Sequence, residues 1–116
     1  MHTDITYQLI RADGHSHTFN ARLTGPGGSW YSQLKSIFAE HIGADIEMER
    51  VNVFHDGRYT DMFVDELGKI NGLPVNERAT RIYRANMLAH DPDPPLPDDM
   101  PWIHGDVLLF SEKVWN

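Results

Sequence analysis

At 116 residues, with 41% apolar and 23% charged side chains, the chain has the composition of one folded domain with a modest core. Its net charge of −7, from 17 acidic against 10 basic residues, argues against non-specific attraction to nucleic acid or anionic membranes. The absence of cysteine excludes disulfides, thiolate metal sites and a cysteine nucleophile, and no apolar run approaches the ~20 residues of a membrane span.

The opening residues have neither the basic end nor the apolar run of a signal peptide, so a cytoplasmic location is expected. Ile5, Tyr7 and Leu9 then alternate with Thr6, Gln8 and Ile10, the period of a half-buried strand over 4–11. Asp13-Gly14 signals a turn, and the chain returns as a second strand with Phe19 and Ala21 on one face. Gly25-Pro26-Gly27-Gly28 breaks regular structure. It lacks the Gly-Lys-Ser/Thr ending of a phosphate-binding loop and reads as a connector.

Ser29 is placed to cap a helix with its hydroxyl. Trp30, Leu34, Ile37, Phe38, His41 and Ile42 recur at steps of three and four, which predicts a helix over 30–42 with one apolar stripe. Gly43 is its stop. His41 lies on the stripe and is expected to be a packed, hydrogen-bonded residue at the edge of the core.

Beyond that helix the parity of the apolar residues changes. Ile46 and Met48 share one strand face, whereas Val51 and Val53 share the other, so a bulge near Glu49-Arg50 or two short strands are expected. Asp56-Gly57 suits a hairpin turn with positive backbone dihedrals. The return strand, 59–64, has apolar residues on both faces, the pattern of a central strand.

Leu67-Gly68, Asn71-Gly72 and Pro74 punctuate the exit, after which Asn76 can cap a helix over 77–88. Ala79, Ile82, Tyr83 and Met87 form its inner face, with Glu77 and Arg81 paired outside. An irregular Pro/Asp-rich connector follows at 90–101, then a last strand at 106–110 and an anchoring Val114-Trp115. The expected architecture is a single α+β domain, a largely antiparallel sheet of four to six strands with two helices packed on it.

The string DELGKINGLPVNERATRIYR joins an acidic turn, a Gly-Lys pair, a Leu-Pro-x-Asn loop and an Ala-Thr helix, and IHGDVLLF follows at a distance. Together with the preceding LKSIFAEHIGADIEMERV, it resembles the domain of unknown function family thirty-eight forty-six, common in actinobacteria, their phages and plasmids. The resemblance spans about residues 30–110; the N-terminal hairpin, the glycine-rich loop and the Pro/Asp connector depart from the pattern. It implies an accessory protein of phage or plasmid type and brings no catalytic residues with it.

His15 and His17 have a two-ligand spacing on a strand, but only Asp13, His55 and His104 offer themselves as further ligands, so no metal or cofactor is expected. The acid pairs Asp61/Asp65 and Glu47/Glu49 are expected on solvent faces, and no nucleophile-elbow sequence frames a serine. The pattern that stands out is Arg78, Arg81 and Arg84, at steps of three on the second helix. Each step drifts by about 60°, which makes a slanting cationic stripe.

Asn71 and Asn76, with Tyr83 nearby, complete the candidate binding set Asn71, Asn76, Arg78, Arg81 and Arg84. The first reading is a non-enzymatic binding module that contacts a host or phage macromolecule. Counter-defence or host takeover enters only through the resemblance. The alternative is a nucleotide or other phosphate-bearing ligand bound at the loop–helix junction 71–84, with or without catalysis. A homodimer through an uncovered sheet edge is left open.

Overall fold

A computed structural model describes residues 2–26, 30–90, 93 and 102–114. The expected cap at Ser29, nearly all of the Pro/Asp connector and the anchor at Trp115 lie outside the described residues. The elements are β1 (His2–Ile10), β2 (Ser16–Thr24), α1 (Tyr31–His41), β3 (Met48–His55), β4 (Arg58–Asp65), α2 (Glu77–His90) and β5 (Val107–Phe110). The strands make one sheet in the order β2-β1-β5-β4-β3, antiparallel at every step. This is the α+β class expected from the sequence.

The last strand is the centre of the sheet, and its four residues are all buried. Side chains alternate across a strand, so Leu108 and Phe110 serve one face while Val107 and Leu109 serve the other. The first face packs with Tyr7, Leu9, Phe63 and the α1 residues Leu34 and Phe38. The second packs with Ile10, Val53, Met62, Val64 and the α2 residue Ala79, with Ile82 and Tyr83 against it. The two helices therefore cover opposite faces, and each fully buried Leu or Phe contributes about 1.5–3 kcal/mol.

His41 is the core-edge residue expected of it: Tyr7 Oη and His41 Nε2 lie 2.8 Å apart. The residue capping α1 is Trp30, without a side-chain bond to the helix amides, while its indole Nε1 donates to the Gly25 carbonyl.

Two expectations are corrected. β3 has no bulge: it pairs with β4 without interruption from Met48↔Asp65 to His55↔Arg58, across a turn in which Asp56 and Gly57 both have positive φ. The parity change arises because β3 feeds both cores, Met48 on the α1 side and Val51 and Val53 on the α2 side, while Ile46 precedes the strand. Nor do Asp61 and Asp65 face solvent; both are buried. Asp61 Oδ2 accepts the Val114 N–H at 2.8 Å, and Asp65 Oδ1 accepts the Leu67 N–H at 2.8 Å. Burial is stabilising here because the carboxylates satisfy main-chain donors that would otherwise lose water. Glu47 and Glu49 are exposed as expected.

α2 is held at its start by a buried polar knot. The Asn76 amide donates to the Ile10 carbonyl (2.9 Å) and the Gly105 carbonyl (3.0 Å), and its Oδ1 accepts the Ala79 N–H (3.1 Å). Thr80 Oγ1 donates to the Asn76 carbonyl and accepts the Ile103 N–H. Gly105 sits at φ 86°, and a Cβ there would meet Leu73 Cδ1 at 2.8 Å, so this crossing admits only glycine without movement.

Candidate functional site

Because Ala79, Ile82 and Tyr83 turn α2 toward the sheet, the arginines are left on its outer and lateral faces. Arg78, half-buried, and Arg81, exposed, line one recess of about 270 Å³ with Glu77 and the β1–β2 turn residues Asp13 and Gly14. Arg78 Nη1 donates to Ser16 Oγ at 2.9 Å, which ties the first turn of the helix to the start of β2. Glu77 and Arg81 share the rim, and no ion pair joins them among the described residues.

The recess is mixed in charge. Asp13 is held below its ordinary carboxylate pKa, first by the His15 backbone N–H that it accepts at 2.9 Å and then by the His15 side chain. It thus stays ionised beside the two guanidiniums. Among the described residues lining the recess there is no hydroxyl, thiol or imidazole. The arrangement can grip a group with its own mixed or negative charge through planar N–H forks; it contains no nucleophile with a base beside it.

Arg84 departs from the stripe. Half-buried, its guanidinium carbon lies 4.0 Å from the centre of the Trp102 ring, a cation–π contact. Trp102 and Tyr83 in turn line a smaller recess of about 160 Å³ with Glu49, Glu66, Lys69 and His104. Asn76 is not on the surface at all; every polar atom of its amide is used in the knot beneath α2. Asn71 is exposed in the turn after β4, where its N–H donates to the Leu67 carbonyl, and it lines neither recess. So the fold brings Arg78 and Arg81 together, sets Arg84 beside them on an aromatic ring, keeps Asn76 as the brace and leaves Asn71 apart.

The residues that sequence reasoning missed are Ser16 and Asp13, which meet α2 only because the β1–β2 turn folds against it. His15 and His17 are exposed, His15 Nδ1 lying 3.1 Å from Asp13 Oδ1. Among the described residues no group of three or more His, Asp or Glu is placed to hold a metal ion, and no helix is long and apolar enough to cross a membrane. Comparison with family models, with curated proteins and with solved structures finds no match to this chain.

Proposed function

We propose that this is a non-enzymatic binding module that offers the Arg78–Arg81 face of α2, with the Arg84–Trp102 pair beside it, to an acidic surface of a protein partner. The observation that carries this reading is the placement of the half-buried Arg78 and the exposed Arg81 around one recess, on a helix whose base is locked by Asn76 and Thr80. Arginine on a rigid element binds carboxylates through paired N–H forks at a small entropic cost. The chain is acidic overall, so two arginines gathered on one face favour one docking orientation for an acidic partner. The resemblance described above supports an accessory protein of phage or plasmid type, working in the cytoplasm on a host or phage macromolecule.

A second reading, a nucleotide or other phosphate in the same recess, is favoured by the roughly 270 Å³ of space beneath two arginines. The carboxylates of Asp13 and Glu77 on the same rim oppose it.

The test uses wild-type protein and an Arg78→Glu/Arg81→Glu double variant as baits. A partner retained by the first and lost by the second, with both proteins equally folded, is the expected result. Identical retention by the two baits refutes the α2 reading. A nucleotide-dependent rise in melting temperature that disappears in Arg78→Ala/Arg81→Ala transfers the site to the second reading.

A further inference from the structure

The sheet has an internal gap at a place where no helix residue takes part. β4 begins at Arg58, yet it pairs with β5 only at Met62↔Leu109 and Phe63↔Leu108. β1 pairs with β5 from Tyr7↔Phe110 to Ile10↔Val107, and then runs on to His2 with β2 alone. After Phe110 the chain leaves the plane of the sheet. The Ser111 N–H donates to the Thr6 carbonyl at 2.9 Å, and Val114 passes to the α1 side, where it is buried and bonded to Asp61. The position that a longer β5 would occupy between β1 and β4 is instead a slot of about 280 Å³.

The slot is lined by groups that donate hydrogen bonds. Pleat parity puts Gln8 of β1, His55 of β3, and Arg58 and Thr60 of β4 on the same face of the sheet. His55 and Arg58 are direct cross-strand partners, and Ser111, exposed, also lines the slot. Thr60 is 2% exposed, and its buried Oγ1 has no hydrogen-bond partner. A buried hydroxyl in that state is disfavoured, and an acceptor bound in the slot that reached it would relieve that cost. No ion pair engages Arg58 among the described residues. One carboxylate, that of Asp56, also lines the slot; it is 86% exposed and lies 3.5 Å from His55 Nε2, so solvent and the imidazole weaken its repulsion of an anion.

We infer that this slot binds a small oxyanion, a carboxylate- or phosphate-bearing molecule, with Arg58, His55 and Ser111 at its exposed rim and Thr60 beneath. A guanidinium, an imidazole, two hydroxyls and an amide together favour an acceptor-rich, negatively charged group over a cation. The volume limits the ligand to metabolite size. This goes beyond the reading of α2, with which it shares no residue, so either can fail without the other.

Amide chemical shifts of the whole chain, followed during titration with inorganic phosphate and separately with succinate, test the inference. Sodium chloride at matched ionic strength is the control. Shifts that saturate and gather at Gln8, Arg58, Thr60 and Ser111 are expected with at least one probe, and the responding probe tells phosphate from carboxylate. Arg58→Ala should weaken binding by about tenfold, as losing a charged hydrogen bond does. Thr60→Val, which keeps the shape and removes the hydroxyl, should weaken it also. Absence of a saturable response at these residues with both probes overturns the proposal. So does a response that survives Arg58→Ala unchanged, or one confined to Arg78 and Arg81.

Discussion

Asn86, on α2, closes the outer edge of β3 at Phe54: its Oδ1 accepts the Phe54 N–H at 3.0 Å and its Nδ2 donates to the Asn52 carbonyl at 3.4 Å. A side-chain amide thus stands where another strand would pair. α1 does the same at the opposite edge, where Gln33 accepts the Thr24 N–H (2.8 Å) and donates to the Thr24 carbonyl (2.9 Å). Both edge strands carry a helix-borne amide on their exposed main chain, one of the ways natural sheets avoid pairing with copies of themselves.

Asn86→Ala should therefore do two things. It should cost about 1 kcal/mol in urea unfolding, because two hydrogen bonds to partly buried main-chain groups are lost and water replaces them only in part. It should also raise self-association with concentration, read by light scattering on a sizing column. A variant as stable as the wild type and no more prone to associate would show that the amide does not guard this edge.

Asn76 and Arg81 sit within six residues on the same helix segment but should respond in opposite ways. Asn76→Ala removes a helix cap and strands the Ile10 and Gly105 carbonyls, a loss of about 2–4 kcal/mol. Arg81→Ala, at an exposed position, should stay within about 0.5 kcal/mol of wild type. Urea midpoints with a common slope decide it. Comparable losses in both variants would mean that Arg81 is part of the scaffold and unsuited to a docking face.

These contrasts show why the fold was more legible than the site. The alternation of Ile5, Tyr7 and Leu9, the Asp56-Gly57 turn and the Leu34–Phe38 stripe are local patterns, and local patterns survive without coordinates. What is not local stayed hidden. No rule of spacing places α1 and α2 on opposite faces, or puts the last strand in the middle of the sheet. The cationic stripe could be read because steps of three are a helix property. The Arg78–Ser16 contact spans 62 residues and could not. Asn76 was readable as a cap, and its burial against Ile10 was not. The slot beside Thr60 has no signature at all, since it follows from where a strand pairing stops.

Asp61 is the clearest case of a residue whose environment reverses its expected role. It is fully buried, with Oδ2 on the Val114 N–H and Oδ1 at 3.6 Å from Arg50 Nη1 and 3.5 Å from Asn52 Nδ2. Asp61→Ala should lose about 2–3 kcal/mol, since it leaves a buried N–H and a partly covered guanidinium without their acceptor. Asp61→Asn keeps one acceptor oxygen and should lose less. Faster hydrogen exchange at the Val114 amide, with β1–β2 unaffected, should accompany the alanine variant. A uniform effect on all amides would instead point to global loosening.

The bond between Tyr7 and His41 should shape the alkaline limb of stability. Burial, and secondarily the Glu40 carboxylate, raise the Tyr7 pKa above its ordinary 10.0. The folded chain therefore holds the phenolic proton more tightly than the unfolded one. Below the unfolded value the phenol is neutral in both states and its stabilisation is complete. As pH rises past that value the unfolded chain ionises first, and stability falls until pH passes the folded pKa. Tyr7→Phe should cost about 1 kcal/mol near neutral pH through the lost bond to His41. It should also lose less than the wild type between neutrality and about pH 11. The acid side carries the opposite sign. Asp13 has a lowered pKa, so its contribution is present above the ordinary 3.8 and is lost as pH falls through the folded value. Asp13→Asn should flatten that limb and leave the alkaline one unchanged. Urea midpoints across both ranges separate the two groups, and parallel alkaline curves for wild type and Tyr7→Phe would contradict a tightly held phenolic proton.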